Sequence, residues 1–225
     1  MLKILAILFS FAIFCISMAC SVAENAASKP LPDPAPVAAA TPKTGSTMET
    51  AVFAGGCFWG VDAVYKHVKG VIDVKSGYAG GSAKTAEYDR VSEGDTGHAE
   101  SVRVEFNPQQ VSYDQLLKIF FSVVHDPTEL NRQGPDTGSQ YRSAIFYTSE
   151  DQKKAALDYI TQLTNSKAFS KPIVTQVVPL KDFYMAEDYH QNYLANHPDQ
   201  PYIVINDIPK VENLKKEFPD LYVEN

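Results

Sequence analysis

The chain has 225 residues, of which 20 are Lys or Arg and 27 are Asp or Glu, so its formal net charge is −7. An acidic chain without a basic stripe is not expected to bind nucleic acid, whose phosphates attract clustered cations. The length suits one domain with a sizeable hydrophobic core.

The first 20 residues are predicted to be a secretory signal. Lys3 precedes an apolar run over Ile4–Ile16, which is too short to span a bilayer in a mature protein. Cleavage before Cys20 would leave an acylatable cysteine, as in a bacterial lipoprotein, whereas cleavage after Ala23 would release a soluble protein. Both alternatives stay open. Both predict an exported protein of the periplasm or cell envelope, with a membrane contact only through a lipid anchor at Cys20.

Residues 21–47 are predicted to be an Ala/Pro-rich linker. The stretch KPLPDPAPVAAATPKTGST has too little apolar bulk to repay the entropy of ordering. Such a composition is typical of a tether between an anchor or signal and a folded domain. The folded domain is therefore expected to occupy residues 48–225.

The first half of this domain alternates between strand and helix patterns. Apolar residues at every second position favour strands, and apolar residues three and four apart favour a helix. In chain order the pattern predicts a strand over Thr50–Gly55, a helix over 58–68, a strand over Val71–Tyr78, a glycine-rich polar segment over Gly80–His98, and a strand over Ala99–Phe106.

The second half continues the same alternation. Ser112 is predicted to cap a helix, and Ser149 with Gln152 forms a capping box that begins another helix, ending near Leu163. The remaining predicted elements are strands over Tyr141–Tyr147 and Ile173–Val178 and helices over Glu187–Asn196 and Val211–Phe218. The order of the first six elements matches the split βαβ pattern, so we predict an α+β fold, a two-layer α/β sandwich with a ferredoxin-like core.

Cys57 is the only thiol expected in the folded domain. Cys15 lies inside the predicted signal and Cys20 lies at its edge, so no disulfide within the domain is possible. An unpaired cysteine in an exported protein indicates a free reactive thiol. The alternative is an inert packing residue.

The setting of Cys57 in GGCFWG favours reactivity. The residue falls where the first strand ends and the first helix begins, so two backbone N–H groups and the helix dipole are expected to face its sulfur. This setting predicts a pKa below the ordinary value of about 8.5. Phe58 and Trp59 offer an apolar wall that suits a methyl group or thioether.

Glu100 is the candidate acid beside this thiol. On the strand that begins at Ala99 it shares a face with Val102 and Val104. A carboxyl at the mouth of an apolar face is desolvated, which raises its pKa and lets it donate a proton near pH 7. A solvated rim position is the alternative. His98 points to the opposite face and is a poorer partner.

Two other functions stay open on the residues alone. A Cys-dependent hydrolase or acyltransferase would pair Cys57 with one of four histidines, namely His98, His125, His190 or His197. A binding module would use the aromatic wall as a receptor for a methyl group or thioether.

No metal site is predicted, because no His, Cys, Asp or Glu residues recur at ligand spacing. Tyr88 and Tyr141 have hydroxyl groups that can donate to a substrate oxygen, but the chain has 12 tyrosines and the residues alone do not choose between them.

Six segments together resemble the A-type peptide methionine sulfoxide reductases. They are GCFWG at 56–60, SGYAGG at 76–81, GDTGHAE at 94–100, HDPT at 125–128, GPDTGSQYRSAIFY at 134–147 and FYMAEDYHQNYL at 183–194. The resemblance covers the chain from about Val52 to Tyr202. It implies an α+β sandwich with a ferredoxin-like core, in agreement with the predicted order of elements. It makes residues 48–225 a methionine sulfoxide reductase catalytic domain.

The resemblance also implies the chemistry. Cys57 attacks the sulfur of a methionine S-sulfoxide, in oxidised proteins or peptides and also as the free amino acid, and becomes a sulfenic acid. Glu100 supplies the proton to the sulfoxide oxygen, and Tyr88 and Tyr141 bind that oxygen.

The resemblance assigns the binding pocket and the reductant as well. Phe58 and Trp59 hold the ε-methyl group of the substrate, and Asp136 and Tyr202 complete the pocket. No bound cofactor or metal is implied, only an external thioredoxin-like thiol reductant. Many members of the family carry resolving cysteines near the C-terminus, but the segment after His197 has none. We therefore predict a single-cysteine cycle in which a donor thiol attacks Cys57 directly.

Overall fold

The computed structural model describes residues 30–35 and 48–225. The predicted signal over residues 1–20, including Cys20, and most of the predicted linker lie outside these residues. Within the described ranges, none of the helices combines the length and apolarity that a bilayer span requires.

The secondary structure follows the predicted alternation, with additional short elements. The strands are β1 Glu49–Ala54, β2 Val71–Ala79, β3 Ala99–Phe106, β4 Arg132–Gln133, β5 Asp136–Thr137, β6 Ala144–Tyr147, β7 Gln176–Pro179 and β8 Phe183–Met185. The α-helices are α1 Phe58–Lys66, α2 Tyr88–Ser92, α3 Tyr113–Ile119, α4 Glu150–Asn165, α5 Tyr193–Asn196 and α6 Ile208–Glu217. The chain also has two π-helical turns. Phe120–Val124 directly follows α3, and Ile203–Asp207 directly precedes α6.

The central sheet has the strand order β7-β6-β1-β3-β2-β8 within the described residues. Its neighbouring strands are antiparallel except for the parallel pair β6 and β7. Strand β3 lies between β1 and β2, which α1 connects, so the βαβ unit is split by an antiparallel strand. The predicted α+β fold with a ferredoxin-like core is confirmed.

The helical face of the sheet carries the main hydrophobic core. Phe53 on β1 stacks on Tyr65 of α1 and on Phe120, with ring centroids 5.2 and 5.1 Å apart. The opposite face has small residues, such as Ala54 and Ala99, and is covered by the chain that follows β7. The C-terminal end of β1 and the first turn of α1 therefore lie together at one edge of the main core.

The C-terminal segment departs from the prediction. The predicted helix over Glu187–Asn196 is wrong, because a 3₁₀ turn over Asp188–His190 and the short helix α5 take its place. Asn192 separates them with a left-handed φ of 55°, which a continuous right-handed helix does not allow. The predicted helix over Val211–Phe218 begins three residues earlier, at Ile208.

Two strand boundaries also move. The predicted strand over Tyr141–Tyr147 begins only at Ala144, because Tyr141 ends a 3₁₀ turn. The predicted strand over Ile173–Val178 is β7, which begins at Gln176. The short elements α2 and β8 were not predicted, because five-residue and three-residue segments carry too little periodicity.

Residues 30–35, here called the strap, belong to the folded domain although the composition predicts a linker. The Gln162 side chain on α4 donates to the Asp33 carbonyl at 2.7 Å and accepts from the Ala35 N–H at 2.8 Å. The Tyr159 hydroxyl, also on α4, donates to a strap carbonyl at 2.9 Å. The polar side chains of α4 therefore satisfy the backbone of the strap, a contribution that its own composition does not reveal.

Candidate active site

Cys57 is the N-cap residue of α1 and is 8% exposed. The preceding Gly56 has a φ of 90°, and a Cβ atom there would lie 2.7 Å from the Gln133 side chain. The turn therefore needs glycine for both its conformation and its close packing. Cys57 is a free, buried thiol among the described residues, and it lies between the end of β1 and the start of α1.

The backbone donors of the first turn are divided between two side chains. The Trp59 N–H donates to the Cys57 sulfur, and the Phe58 N–H donates to Glu100 Oε2 at 3.0 Å. The sequence analysis expected both donors to face the sulfur. Instead, the helix N-terminus binds the thiol and the carboxyl side by side.

The predicted lowering of the Cys57 pKa is wrong. Burial raises the pKa of this thiol well above its ordinary value, and the negative charges of Asp207 and, once it ionises, of Glu100 raise it further. Charge–dipole interactions at a helix end contribute about 0.3–1 kcal/mol, whereas full burial can shift a pKa by about 3–5 units. Desolvation therefore outweighs the helix terminus, and the thiol is protonated at neutral pH in the free protein.

Glu100 on β3 is 2% exposed, so it is not a solvated rim residue. Burial raises its pKa from 4.5 to about 8, in the direction that the strand pattern predicts, although hydrogen bonds from the Phe58 N–H and the Cys57 thiol oppose the rise. At neutral pH the carboxyl is mostly protonated and can donate a proton. His98 lies on the opposite face, where its ring binds the Gly81 N–H and the Ser82 carbonyl.

Tyr88 and Tyr141 face the same two groups. Tyr88 begins α2 and Tyr141 ends a 3₁₀ turn. Burial raises the pKa of each phenol, and Glu100 and Cys57 add to the rise once they ionise. Both hydroxyl groups therefore stay protonated and can donate hydrogen bonds to an oxygen placed beside Glu100.

Of the two aromatic residues after Cys57 that were predicted to form an apolar wall, only Trp59 reaches the surface of the site. Trp59 is partly exposed and stacks on Tyr193, with ring centroids 3.7 Å apart and planes 5° apart. Tyr202 meets the same indole edge-on at 5.8 Å. Phe58 is fully buried and contacts His190 with ring centroids 4.9 Å apart. The partly exposed aromatic wall of the site therefore consists of Trp59, Tyr193 and Tyr202.

Asp136 is attached to this wall through Tyr202. The Tyr202 hydroxyl donates a hydrogen bond to Asp136 Oδ2. Burial and the nearby Cys57 and Asp136 charges raise the pKa of Tyr202, so the phenol remains the donor. The structure thus brings all eight predicted site residues to one end of the sheet, with Asp136 joined through this hydrogen bond.

Three residues of the segment FYMAEDYHQNYL support the site in ways that the sequence did not predict, among them His190, which was considered only as a partner for Cys57 in a hydrolase. Tyr193 stacks on Trp59, and His190 Nδ1 accepts a hydrogen bond from Trp59 Nε1 at 3.1 Å. Glu187 accepts from the Tyr78 hydroxyl at 2.8 Å and from the Tyr88 N–H at 2.9 Å. These three residues could have been identified as site residues from the sequence, because the segment is one of the six that carry the family resemblance.

A hydrolytic dyad and a metal centre find no support in the geometry. Among the described residues no histidine hydrogen-bonds to Cys57. The ring of His125 binds the Phe120 carbonyl and the Ser143 hydroxyl, and burial lowers its pKa to about 4. The described part of the chain also holds no group of three or more His, Cys, Asp or Glu residues that could bind a metal ion.

Comparison with known proteins gives consistent matches. A family model described as peptide methionine sulfoxide reductase matches residues 49–221. A Mesorhizobium japonicum protein named peptide methionine sulfoxide reductase MsrA 2 is 56% identical over 176 residues, which is 78% of this chain and 90% of that protein. A Synechocystis protein of the same name is 51% identical over 193 residues, covering 86% and 90% respectively.

Solved structures are similar as well. The reduced form of Mxr1 from Saccharomyces cerevisiae matches with a TM-score of 0.64 and 36% identity, covering 68% of this chain and 87% of that one. Methionine sulfoxide reductase A of Corynebacterium diphtheriae matches with a TM-score of 0.60 and 34% identity, covering 75% and 84%.

Proposed function

The chain belongs to the peptide methionine sulfoxide reductase family of oxidoreductases, and from this premise we propose that it reduces methionine S-sulfoxide through a sulfenic acid on Cys57. The observation that carries the proposal is the pairing of the lone thiol with a buried carboxyl whose pKa is raised to about 8. This pair supplies a nucleophile and a proton donor next to an apolar wall.

The first step moves oxygen from the substrate to Cys57. Glu100 donates its proton to the sulfoxide oxygen, which makes the sulfoxide sulfur electrophilic. The Cys57 thiol hydrogen-bonds to Glu100, so the carboxylate that forms takes the thiol proton as Cys57 attacks. The attack joins the Cys57 sulfur to the substrate sulfur. This bond and the S–O bond of the substrate then break as the OH group passes to Cys57, so the products are a thioether and a sulfenic acid, and Cys57 is oxidised by two electrons while the substrate is reduced. No resting thiolate is required.

The pocket recognises two groups of the substrate, the sulfoxide oxygen and the ε-methyl group, on different sides. Tyr88 and Tyr141 are placed to donate hydrogen bonds to the sulfoxide oxygen as charge develops on it. The partly exposed Trp59 presents an apolar, polarisable surface to the ε-methyl group, whereas the fully buried Phe58 has no surface open to it. Because the oxygen and the methyl group are held on different sides, only one configuration at sulfur places the sulfur beside Cys57.

The catalytic cycle closes with external thiols. Cys57 is the free cysteine of the described residues, so the domain offers no resolving thiol there. A donor thiol attacks the sulfenic acid, releasing water and forming a mixed disulfide, and a second donor thiol releases Cys57. We assign the donor to the thioredoxin-like class. An intrachain disulfide in the oxidised protein would contradict this cycle.

The location follows from the N-terminal sequence. We propose that the enzyme is exported to the periplasm or cell envelope and repairs oxidised proteins there, held by a lipid on Cys20 or released. Palmitate labelling of cells that express the natural chain or Cys20→Ala distinguishes the two forms. Label lost with Cys20→Ala indicates the anchored form, and a protein that is exported without label indicates the released form.

Activity is tested with dithiothreitol and the separated epimers of a blocked methionine sulfoxide. We expect reduction of the S epimer, loss of activity in Cys57→Ser, and full activity in the matched variant Cys20→Ser. Reduction of the R epimer alone, or of neither epimer, would overturn the proposed function.

A further inference from the structure

Asp207 is a fully buried carboxylate at the point where α6 begins. Its Oδ1 atom accepts a hydrogen bond from Lys210 Nζ at 3.1 Å, whereas Oδ2 has no hydrogen-bond partner among the described residues. A buried carboxylate oxygen without a partner destabilises a fold. Packing alone therefore does not account for this ion pair.

Both charged groups lie against the first turn of α1. A Cβ atom added to Gly60 would lie 2.1 Å from Asp207 Oδ1 and 2.7 Å from Lys210 Nζ. A larger residue at this position would therefore displace the ion pair. Gly60 follows Cys57 by three residues, which is about one turn of helix, so the ion pair lies against the turn of α1 that Cys57 caps.

The two charges act on Cys57 in opposite directions. Burial and Glu100 raise the pKa of the thiol most, Asp207 raises it further, and Lys210 lowers it. The Lys210 side chain is 17% exposed whereas the Asp207 side chain is not exposed at all. Solvent therefore screens the cation more than the carboxylate.

We propose that the Asp207–Lys210 ion pair is a positioning device that sets how readily Cys57 gives up its proton, with Asp207 holding the empty site in its thiol form. The proposal rests on the proposed function for the role of Cys57 as the nucleophile. Neither side chain touches the reacting atoms, so the pair acts through the thiol. Its consequence is a resting cysteine that reacts slowly with adventitious oxidants and alkylating agents.

The pair also acts on other titratable groups around Cys57, because Asp207 raises the pKa of Glu100 and of Tyr202 and Lys210 lowers the pKa of His125. Glu100 faces the thiol from β3, and the Trp59 N–H binds the sulfur from α1. Groups that face the thiol or its partners also include Asp136, the neutral His125, and the protonated phenols of Tyr88, Tyr141 and Tyr202. The alkylation profile of a variant of the pair therefore reports the direct effect of the pair on Cys57 together with its effect through Glu100.

The test is the pH profile of iodoacetamide alkylation, followed by mass spectrometry on the peptide that carries Cys57, in the full chain without substrate. We expect Asp207→Asn to move the midpoint to lower pH and to speed alkylation at pH 7.5 by about threefold to tenfold. Lys210→Gln should move the midpoint to higher pH. The double variant should lie between the two single variants, and Lys215→Gln, an exposed lysine on the same helix, should leave the profile unchanged.

Shifts of both single variants in the same direction, or no shift in either, would overturn the proposal, because a purely structural role does not predict opposite signs. Thermal melts establish that each variant is folded. Removal of Lys210 leaves the Asp207 carboxylate unpaired, so that variant is the one at risk of unfolding. In that case Lys210→Arg, which keeps the charge, should retain the natural alkylation profile. The Asp207→Asn variant then tests the proposal alone: a midpoint at lower pH supports it, and an unchanged or higher midpoint overturns it.

The rate of alkylation measures the reactivity of the Cys57 thiol whether or not the protein reduces a sulfoxide. A failure of this proposal is therefore distinguishable from a failure of the proposed function. If both hold, the alkaline limb of the reductase pH profile moves to lower pH in Asp207→Asn, because Asp207 also raises the pKa of the Glu100 proton donor.

Discussion

Replacement of Glu100 by glutamine tests the assignment of the proton donor. The amide oxygen of glutamine can still accept the hydrogen bond from the Phe58 N–H, which is 3.0 Å long in the natural protein. The variant therefore keeps the backbone geometry and loses only the acidic proton. General acid catalysis contributes about 10²–10⁴-fold to a rate, so we expect kcat/KM for the S epimer to fall by about that factor.

The pH dependence sharpens this prediction. With a Glu100 pKa of about 8, roughly nine in ten of these carboxyls are protonated at pH 7. Above pH 8 the kcat/KM of the natural protein should fall about tenfold per pH unit, as the donor is lost. The Glu100→Gln variant should lack this alkaline limb, because its side chain does not titrate.

The same substitution has a consequence for stability. The pKa of Glu100 is 4.5 in an ordinary setting and about 8 in the folded protein, so the folded state binds the proton more tightly than the unfolded state. Stability from this proton is fully present below about pH 4.5 and is lost as pH rises to about 8, by at most about 5 kcal/mol. Urea unfolding at pH 9 should therefore find Glu100→Gln more stable than the natural protein.

Glu105→Gln is the matched control for both assays. Glu105 lies on the same strand, partly exposed and ion-paired with Arg103 at 3.6 Å, and surface ion pairs contribute about 0–1 kcal/mol. We expect its kcat/KM and its pH profile to match those of the natural protein. If Glu100→Gln keeps more than about a tenth of the activity and the alkaline limb, Glu100 is not the proton donor.

Three further substitutions test the neighbouring contacts. Tyr141→Phe removes one donor to the sulfoxide oxygen and should lower kcat about tenfold to hundredfold in the dithiothreitol assay; an unchanged kcat would exclude that hydrogen bond. His190→Phe removes the acceptor for Trp59 Nε1 and should raise KM about fivefold while affecting kcat less, and the fluorescence of Trp59, the one tryptophan of the chain, should report the change. Gln162→Ala removes two hydrogen bonds to the strap over residues 30–35 and should lower the free energy of unfolding by about 1 kcal/mol without loss of activity; equal stability in urea would place the strap outside the cooperative fold.

The features that the sequence predicts correctly depend on local patterns. The alternation in AESVRVEF places Glu100 on the buried face of β3, and the structure finds it there. The glycines before Cys57 predict a tight turn, and Gly56 has the positive φ that such a turn requires. The order of strands and helices predicts the split βαβ sheet, because few topologies accommodate that order.

The features that the sequence does not predict depend on contacts between distant residues. The sign of the Cys57 pKa shift is decided by burial and by Glu100 and Asp207, the latter 150 positions along the chain. The periodicity of the sequence predicts where the helix begins, but it does not predict how deeply Cys57 is buried, and burial decides the sign of its pKa shift. In the same way, the strap is ordered by hydrogen bonds from Gln162 on α4, and its own composition indicates only a linker.

The central claim is that Cys57 takes the oxygen from the substrate, and a single turnover without reductant tests it most directly. The protein is mixed with methionine S-sulfoxide and dimedone, which labels sulfenic acids, and the peptides are mapped by mass spectrometry. The account predicts about one methionine released per chain and a dimedone adduct on Cys57. Methionine released with no modification of Cys57, or no methionine at all from the S epimer, would contradict it.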